Sequence, residues 1–128
     1  MQDEVKIERL RRAEDHRGYV YEPLDAIGLS VQRNVHVVLT QPGEIRGNHF
    51  HHSGTEVTGV SGPARVRIKQ DGTLSTHDIP EGETWRFTFP PRVTHAFQNT
   101  GVGPLIIVSF NTLPHDPNDP NTTRDVIL

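Results

Sequence analysis

The 128-residue sequence contains no cysteine. This excludes disulfide staples, thiolate metal ligands and cysteine nucleophiles together. Aromatic residues make up only 6%, with one Trp and one Met, so Val, Ile, Leu and Phe must build the core. No run approaches the roughly 18–20 apolar residues that cross a bilayer, so no membrane partner is expected. The opening stretch, MQDEVKIERLRRAED, is charged where a secretory leader would be apolar, which makes the cytoplasm the expected location. An excess of basic charge is also missing. Lys and Arg number 13 against 16 Asp and Glu, for a net charge of −3, and such a chain offers nucleic acid no positive face. Long helical periodicity is absent too. Only the first dozen or so residues and PLDAIG (23–28) read as short helical turns.

Turns and short strands are what the sequence does hold. Its 11 Gly and 10 Pro are spread along the chain, marking turns roughly every ten residues. Between them lie VHVVLTQ (35–41), ARVRIK (64–69), TLSTHDI (73–79), TWRFTFP (84–90), THAFQN (94–99) and PLIIVSF (104–110). In ARVRIK, Val66 and Ile68 alternate with Arg65, Arg67 and Lys69, the period of a half-buried strand. The DG at 71–72 is a hairpin turn, and TWRFTFP sets Trp85, Phe87 and Phe89 on one face. The pattern predicts about nine or ten strands, hence an all-β sandwich or small closed barrel in one domain. Residues 1–14 read as an N-terminal arm and 111–128, rich in Asp, Asn and Pro, as an extended tail.

The segment GEIRGNHFHHSG (43–54) packs three histidines into four positions. In a strand, His49 and His51 project to one side and His52 to the other. The turn at Ser53-Gly54 brings Glu56 up on the next strand, and His95 opens a later one. Imidazole and carboxylate donors of this kind suit a divalent metal, and the expected ligands are His49, His51, Glu56 and His95. Zinc is the first expectation, and iron, nickel or manganese fit the same donors. His16, His77 and His115 read as surface or packing residues. His36 faces either the barrel interior or a partner subunit.

The order Gly43, His49, His51, Glu56, Gly62, followed by Pro90, His95 and Asn99, resembles the two motifs of the cupin superfamily. Three departures stand out. Glu56 and Gly62 are one residue closer than in the motif, Arg92 occupies the place of a glycine, and Gly82 lies further from Pro90. The stretch DHRGYVYE (15–22) with GEIRGNH resembles the relatives of dTDP-4-dehydrorhamnose 3,5-epimerase. RGNHFHH (46–52), PPRVTHAFQN (90–99) and DPNDPNT (116–122) resemble the C-terminal cupin domain of bifunctional enzymes that make capsular-polysaccharide precursors. The resemblance implies a cupin (double-stranded β-helix, jelly-roll) barrel, often a homodimer, that epimerises or isomerises a nucleotide-linked 4-keto sugar. It further implies Arg46 as a diphosphate partner, because a guanidinium binds phosphate bidentately. The sequence identifies no general base. A non-catalytic sugar- or metal-binding module and a small metal-dependent oxygenase are the alternatives. The segment VKIERLR is the expected dimer-forming strand.

Overall fold

Alternation of apolar and polar residues produces the strands almost where the sequence places them. The computed structural model describes residues 3–128, so residues 1 and 2 of the expected arm lie outside the described part. The strands are β1 (Lys6–Leu10), β2 (Ala13–Asp15), β3 (Gly18–Val20), β4 (Asn34–Thr40), β5 (Ile45–His51), β6 (Glu56–Ser61), β7 (Ala64–Gln70), β8 (Thr73–Ile79), β9 (Thr84–Phe89), β10 (Thr94–Asn99), β11 (Leu105–Asn111) and β12 (Thr122–Arg124), with one helix, α1 (Ala26–Ser30). Two five-stranded sheets run in the orders β1-β9-β6-β11-β4 and β12-β5-β10-β7-β8, and β2-β3 is a separate hairpin. Each sheet draws its strands from distant parts of the chain, and all pairings are antiparallel. The result is the double-stranded β-helix of a cupin.

The core lies between the two sheets. Val60, Val66, Ile68, Ile79, Phe87, Phe89, Val93, Phe97 and Ile107 form one buried cluster, with Trp85 packed at its side. Val66 and Ile68 point in while Arg65 pairs outward with Asp78 at 2.8 Å, as the alternation predicts. Asn99, the last residue of the second motif, takes no part in the histidine cluster. Its side-chain amide donates to the Thr40 and Gly103 carbonyls and accepts from Gly101 N–H. A buried polar group of this kind is stable because it is fully satisfied.

Three expectations change. Of the two readings of the N-terminal residues, helical turns and a pairing strand, the strand is found, because β1 finds backbone partners along β9, whereas a helix that short has too few hydrogen bonds to nucleate alone. β1 therefore adds to its own chain's sheet. The helical turn expected at 23–28 falls at Ala26–Ser30, where the Asp25 carboxylate caps Gly28 N–H at 2.7 Å and starts the turn later. Among the described residues the strands number twelve instead of nine or ten. The extra ones are β2, β3 and β12, each only three residues long and too short to show a period. No helix among the described residues is long and apolar enough to cross a membrane.

Arg92, the residue standing for a motif glycine, adopts φ 68° in the turn between β9 and β10. The turn thus keeps the left-handed backbone that a glycine would take without strain. Its N–H donates to the His51 carbonyl at 2.7 Å, which holds the turn against β5. Arg92→Gly should therefore raise stability by about 0.5–1 kcal/mol, the left-handed penalty less the added entropy of the unfolded chain. A melting temperature unchanged or lowered in that variant would contradict the assignment of strain.

Candidate metal centre and its cavity

A one-residue irregularity builds the site. From Ile45 to Gly47, β5 pairs with Gln98 to Ala96 of β10 in one register, and His49 then pairs with His95 in another. Asn48 is the extra residue, and both Gly47 (φ 88°) and Asn48 (φ 56°) sit in the left-handed region. Without this bulge the register would set Asn48 opposite His95 and turn His49 and His51 to the other face, since a one-residue slip inverts every side chain. Gly47 is required here. A Cβ would lie 2.6 Å from the His95 carbonyl oxygen.

With the bulge in place, the expected residues meet. The ring centroids of His49 and His95 are 5.0 Å apart, those of His49 and His51 5.3 Å, and those of His51 and His95 5.8 Å. The three imidazoles offer nitrogens that all lie within 4.8 Å of one another. Glu56 faces the same point from β6, with Oε2 2.7 Å from His95 Nε2 and Oε1 3.6 Å from His51 Nε2. The shorter interval before Gly62 has not turned it away. Glu56 is only 4% exposed and His95 1%.

The chemistry of these contacts fits a cation. His95 Nδ1 lies 3.2 Å from the Val93 carbonyl, and a carbonyl can only accept, so Nδ1 carries a proton and Nε2 is the nitrogen turned toward Glu56. Phe89 stacks on the same ring at 4.3 Å and fixes its plane. Nε2 thus faces a buried carboxylate oxygen. His95 Nε2, His51 Nε2 and Glu56 Oε2 have no hydrogen-bond partner, so the 2.7 Å contact is close but misdirected. Acceptors converging in a dry interior repel unless positive charge sits between them. Burial would raise Glu56, yet the neighbouring imidazoles of His95 and His51 outweigh it and hold the carboxyl well below its usual range. For His49, burial and then the neighbouring His95, against the pull of Glu56, lower the pKa to about 4. A neutral imidazole beside an ionised carboxylate is the ligand form of each group.

His51 opens onto a cavity of about 420 Å³, walled by His36, Asn111, His115, Asp116 and Asp119 among others. His36, left open by the sequence, therefore lines the barrel mouth. His115, expected at the surface, lines it too, although nothing in the DPNDPNT stretch signals that the tail folds over the mouth. His52 points away and meets the Thr123 hydroxyl at 2.6 Å. His77 contacts Ser75 and Phe87, a packing role, and His16 is exposed. Arg46 is exposed and donates to the Leu39 carbonyl at 3.1 Å, outside the set of residues lining the cavity. The DHRGYVYE stretch forms the exposed β2-β3 hairpin. There Arg17 pairs with Asp15, Arg12 lies 4.0 Å over the Tyr19 ring, and Tyr21 packs on Gly59. Neither tyrosine lines this cavity.

Fold and site together define a cupin barrel with a histidine-carboxylate centre at its mouth. The chain belongs to the polysaccharide biosynthesis C-terminal domain family, whose model matches residues 13–123. It is 25% identical to the spore coat polysaccharide biosynthesis protein SpsL of Bacillus subtilis, over 97% of this chain and 89% of that one. A dTDP sugar isomerase from Desulfovibrio desulfuricans G20 superposes with a TM-score of 0.80 at 18% identity, covering 98% of this chain and 85% of that one. The capsular polysaccharide assembling protein CapF of Staphylococcus aureus gives 0.68 at 23% identity, covering 92% of this chain but only 34% of CapF. QdtA, a sugar 3,4-ketoisomerase from Thermoanaerobacterium thermosaccharolyticum crystallised with TDP, gives 0.68 at 15% identity, with 94% and 88% covered. These structural likenesses establish the fold.

The lowered pKa of His49 has a defined consequence. Between pH 6.5 and about 4 the unfolded chain binds a proton at this residue that the folded chain refuses. Stability from this group is intact above pH 6.5 and falls as pH drops through that window. Thermal unfolding of metal-free protein from pH 7 to pH 4 should show this slope, and His49→Gln should lessen it. An identical slope in the variant would rule out a half-buried neutral imidazole at position 49.

Proposed function

We propose that the chain is a divalent-metal-dependent epimerase or isomerase of a nucleotide-linked 4-keto sugar in polysaccharide biosynthesis. The observation that carries this reading is the convergence of unpartnered His51 and His95 nitrogens on the buried Glu56 carboxylate, beside a cavity open to solvent. Family membership and the names of the relatives support the substrate class.

His49, His51, His95 and Glu56 are the residues that would hold the ion, zinc first, with iron, nickel or manganese suiting the same donors. A divalent cation bound there supplies a Lewis acid for the oxygen of a ketone. Loss of a proton from the carbon beside that ketone gives an enolate. Return of the proton to the opposite face inverts the centre, and its return to the other carbon of an enediol moves the carbonyl. The group that takes the proton must stand at the cavity wall, and His36 and His115 are the imidazoles there besides His51. The cavity itself carries Asp116 and Asp119 and no arginine or lysine, so a diphosphate would rest on cations outside it. Arg46 serves this role in the proposal, since its exposed guanidinium has one bond to a carbonyl and further N–H groups to offer.

Incubation with a nucleotide-linked 4-keto sugar in heavy water should place deuterium beside the carbonyl, and removal of metal by a chelator should stop the exchange. No exchange across a panel of such sugars would end the catalytic reading and leave a sugar-binding module. Iron with oxygen uptake would favour an oxygenase instead. The proposal includes a homodimer. The open edge strand β4 contains no Lys, Arg, Asp or Glu and exposes Val35, Val37 and Leu39 beside Ile106, an edge that natural sheets cover or protect. Sedimentation should give twice the 14.4 kDa chain mass, and a mass near that of one chain would refute it.

A further inference from the structure

The C-terminal segment is fastened to the two strands that carry the imidazoles. β12 pairs with β5 along the cluster, Thr122 opposite His51 and Arg124 opposite His49. His52 N–H donates to the Asn121 carbonyl, and Asn121 Nδ2 donates to the Ser53 carbonyl at 2.7 Å. On the other strand, Thr94, the neighbour of His95, donates its hydroxyl to Asp125, which also pairs with Lys69 at 2.6 Å.

One residue gathers most of this. Asn48 Oδ1 accepts from Ile127 N–H at 3.0 Å and Leu128 N–H at 3.2 Å, and its Nδ2 donates to the Leu128 carbonyl at 3.3 Å. Its own carbonyl accepts from Asp125 N–H at 2.8 Å. This is the same Asn48 whose left-handed backbone makes the bulge. Local propensity alone does not hold an asparagine in that conformation, which is sparsely populated away from constraint.

From this we infer that Asn48 is a positioning residue for the cation site. By clamping residues 125–128 it locks the bulge that turns His49 and His51 inward. The inference rests on the reading of the cluster as a divalent-cation site. Asn48 is not among the residues lining the cavity, and its effect runs through the backbone of β5. Three bonds from one side chain leave the bulge a single conformation, and loss of the clamp lets β5 sample the unbulged register.

The test compares Asn48→Gly with Asn48→Asp. Glycine keeps the left-handed backbone and the bond from Asp125 N–H but removes the three side-chain bonds to Ile127 and Leu128, whereas aspartate keeps both acceptor bonds and loses only the Nδ2 donor to the Leu128 carbonyl. Two readouts are made well below the unfolding temperature. Cobalt(II) titration followed by visible absorption should show about tenfold weaker binding and an altered band for Asn48→Gly, the low end for residues that orient ligands. For Asn48→Asp the affinity should stay within about threefold and the band should be unchanged. In metal-free protein, the imidazole nitrogen resonances of His49 and His51 should shift and broaden in Asn48→Gly and return in Asn48→Asp. Wild-type-like resonances in Asn48→Gly would overturn the inference whether or not cobalt binds. Failure of the wild-type protein to take up cobalt would count against the cation site alone, since the resonances still report on ring placement.

Discussion

The structure turns on a buried carboxylate whose near neighbours are imidazole nitrogens. Glu56 sits between two sheets, facing imidazole nitrogens of His95 and His51 that are themselves without partners. A charge left bare in such a place costs several kcal/mol. The surrounding architecture makes sense as the means of holding acceptors together. The Val93 carbonyl holds the Nδ1 side of His95 and Phe89 stacks on its ring. Rigid placement of this kind is what lets a few donors favour one ion and one charge state.

The barrel meets this demand through an irregularity rather than a regular strand. An even β5 would direct its His-x-His pair away from His95. A glycine at 47, admitted because any Cβ would collide with the His95 carbonyl, and a left-handed Asn48 shift the register by one. Across the mouth, Arg92 holds its strained turn against the His51 carbonyl. Strained backbone thus borders the cluster on two sides, and other contacts over-determine both positions. Strain of this sort gathers at functional sites.

Much of this was legible in advance, and particular residues show why. Strands β4 and β7 to β11 declare themselves through alternation and flanking turns, because a half-buried strand must alternate. The ligand candidates were visible because spacing of two in a strand puts side chains on a common face. β1 was read both as helical turns and as a pairing strand because charged residues with scattered apolar ones fit either period over so few positions. The β2-β3 hairpin and β12 gave no signal at three residues each. His36 and His115 could not be assigned to the cavity, since the wall they form joins β4 to the tail, segments far apart in the chain.

Composition and periodicity by themselves determined an all-β chain without thiol chemistry, its principal strands, and a set of imidazoles and a carboxylate suited to a divalent ion. These are local properties, carried by residue type and by the geometry of one strand. Tertiary structure alone decided that the donors converge. Their meeting depends on the pairing register between β5 and β10, which a single extra residue inverts. It depends as well on a C-terminal segment that holds that register from across the sheet edge. Register is a relation between strands, and no window of sequence shorter than both of them contains it.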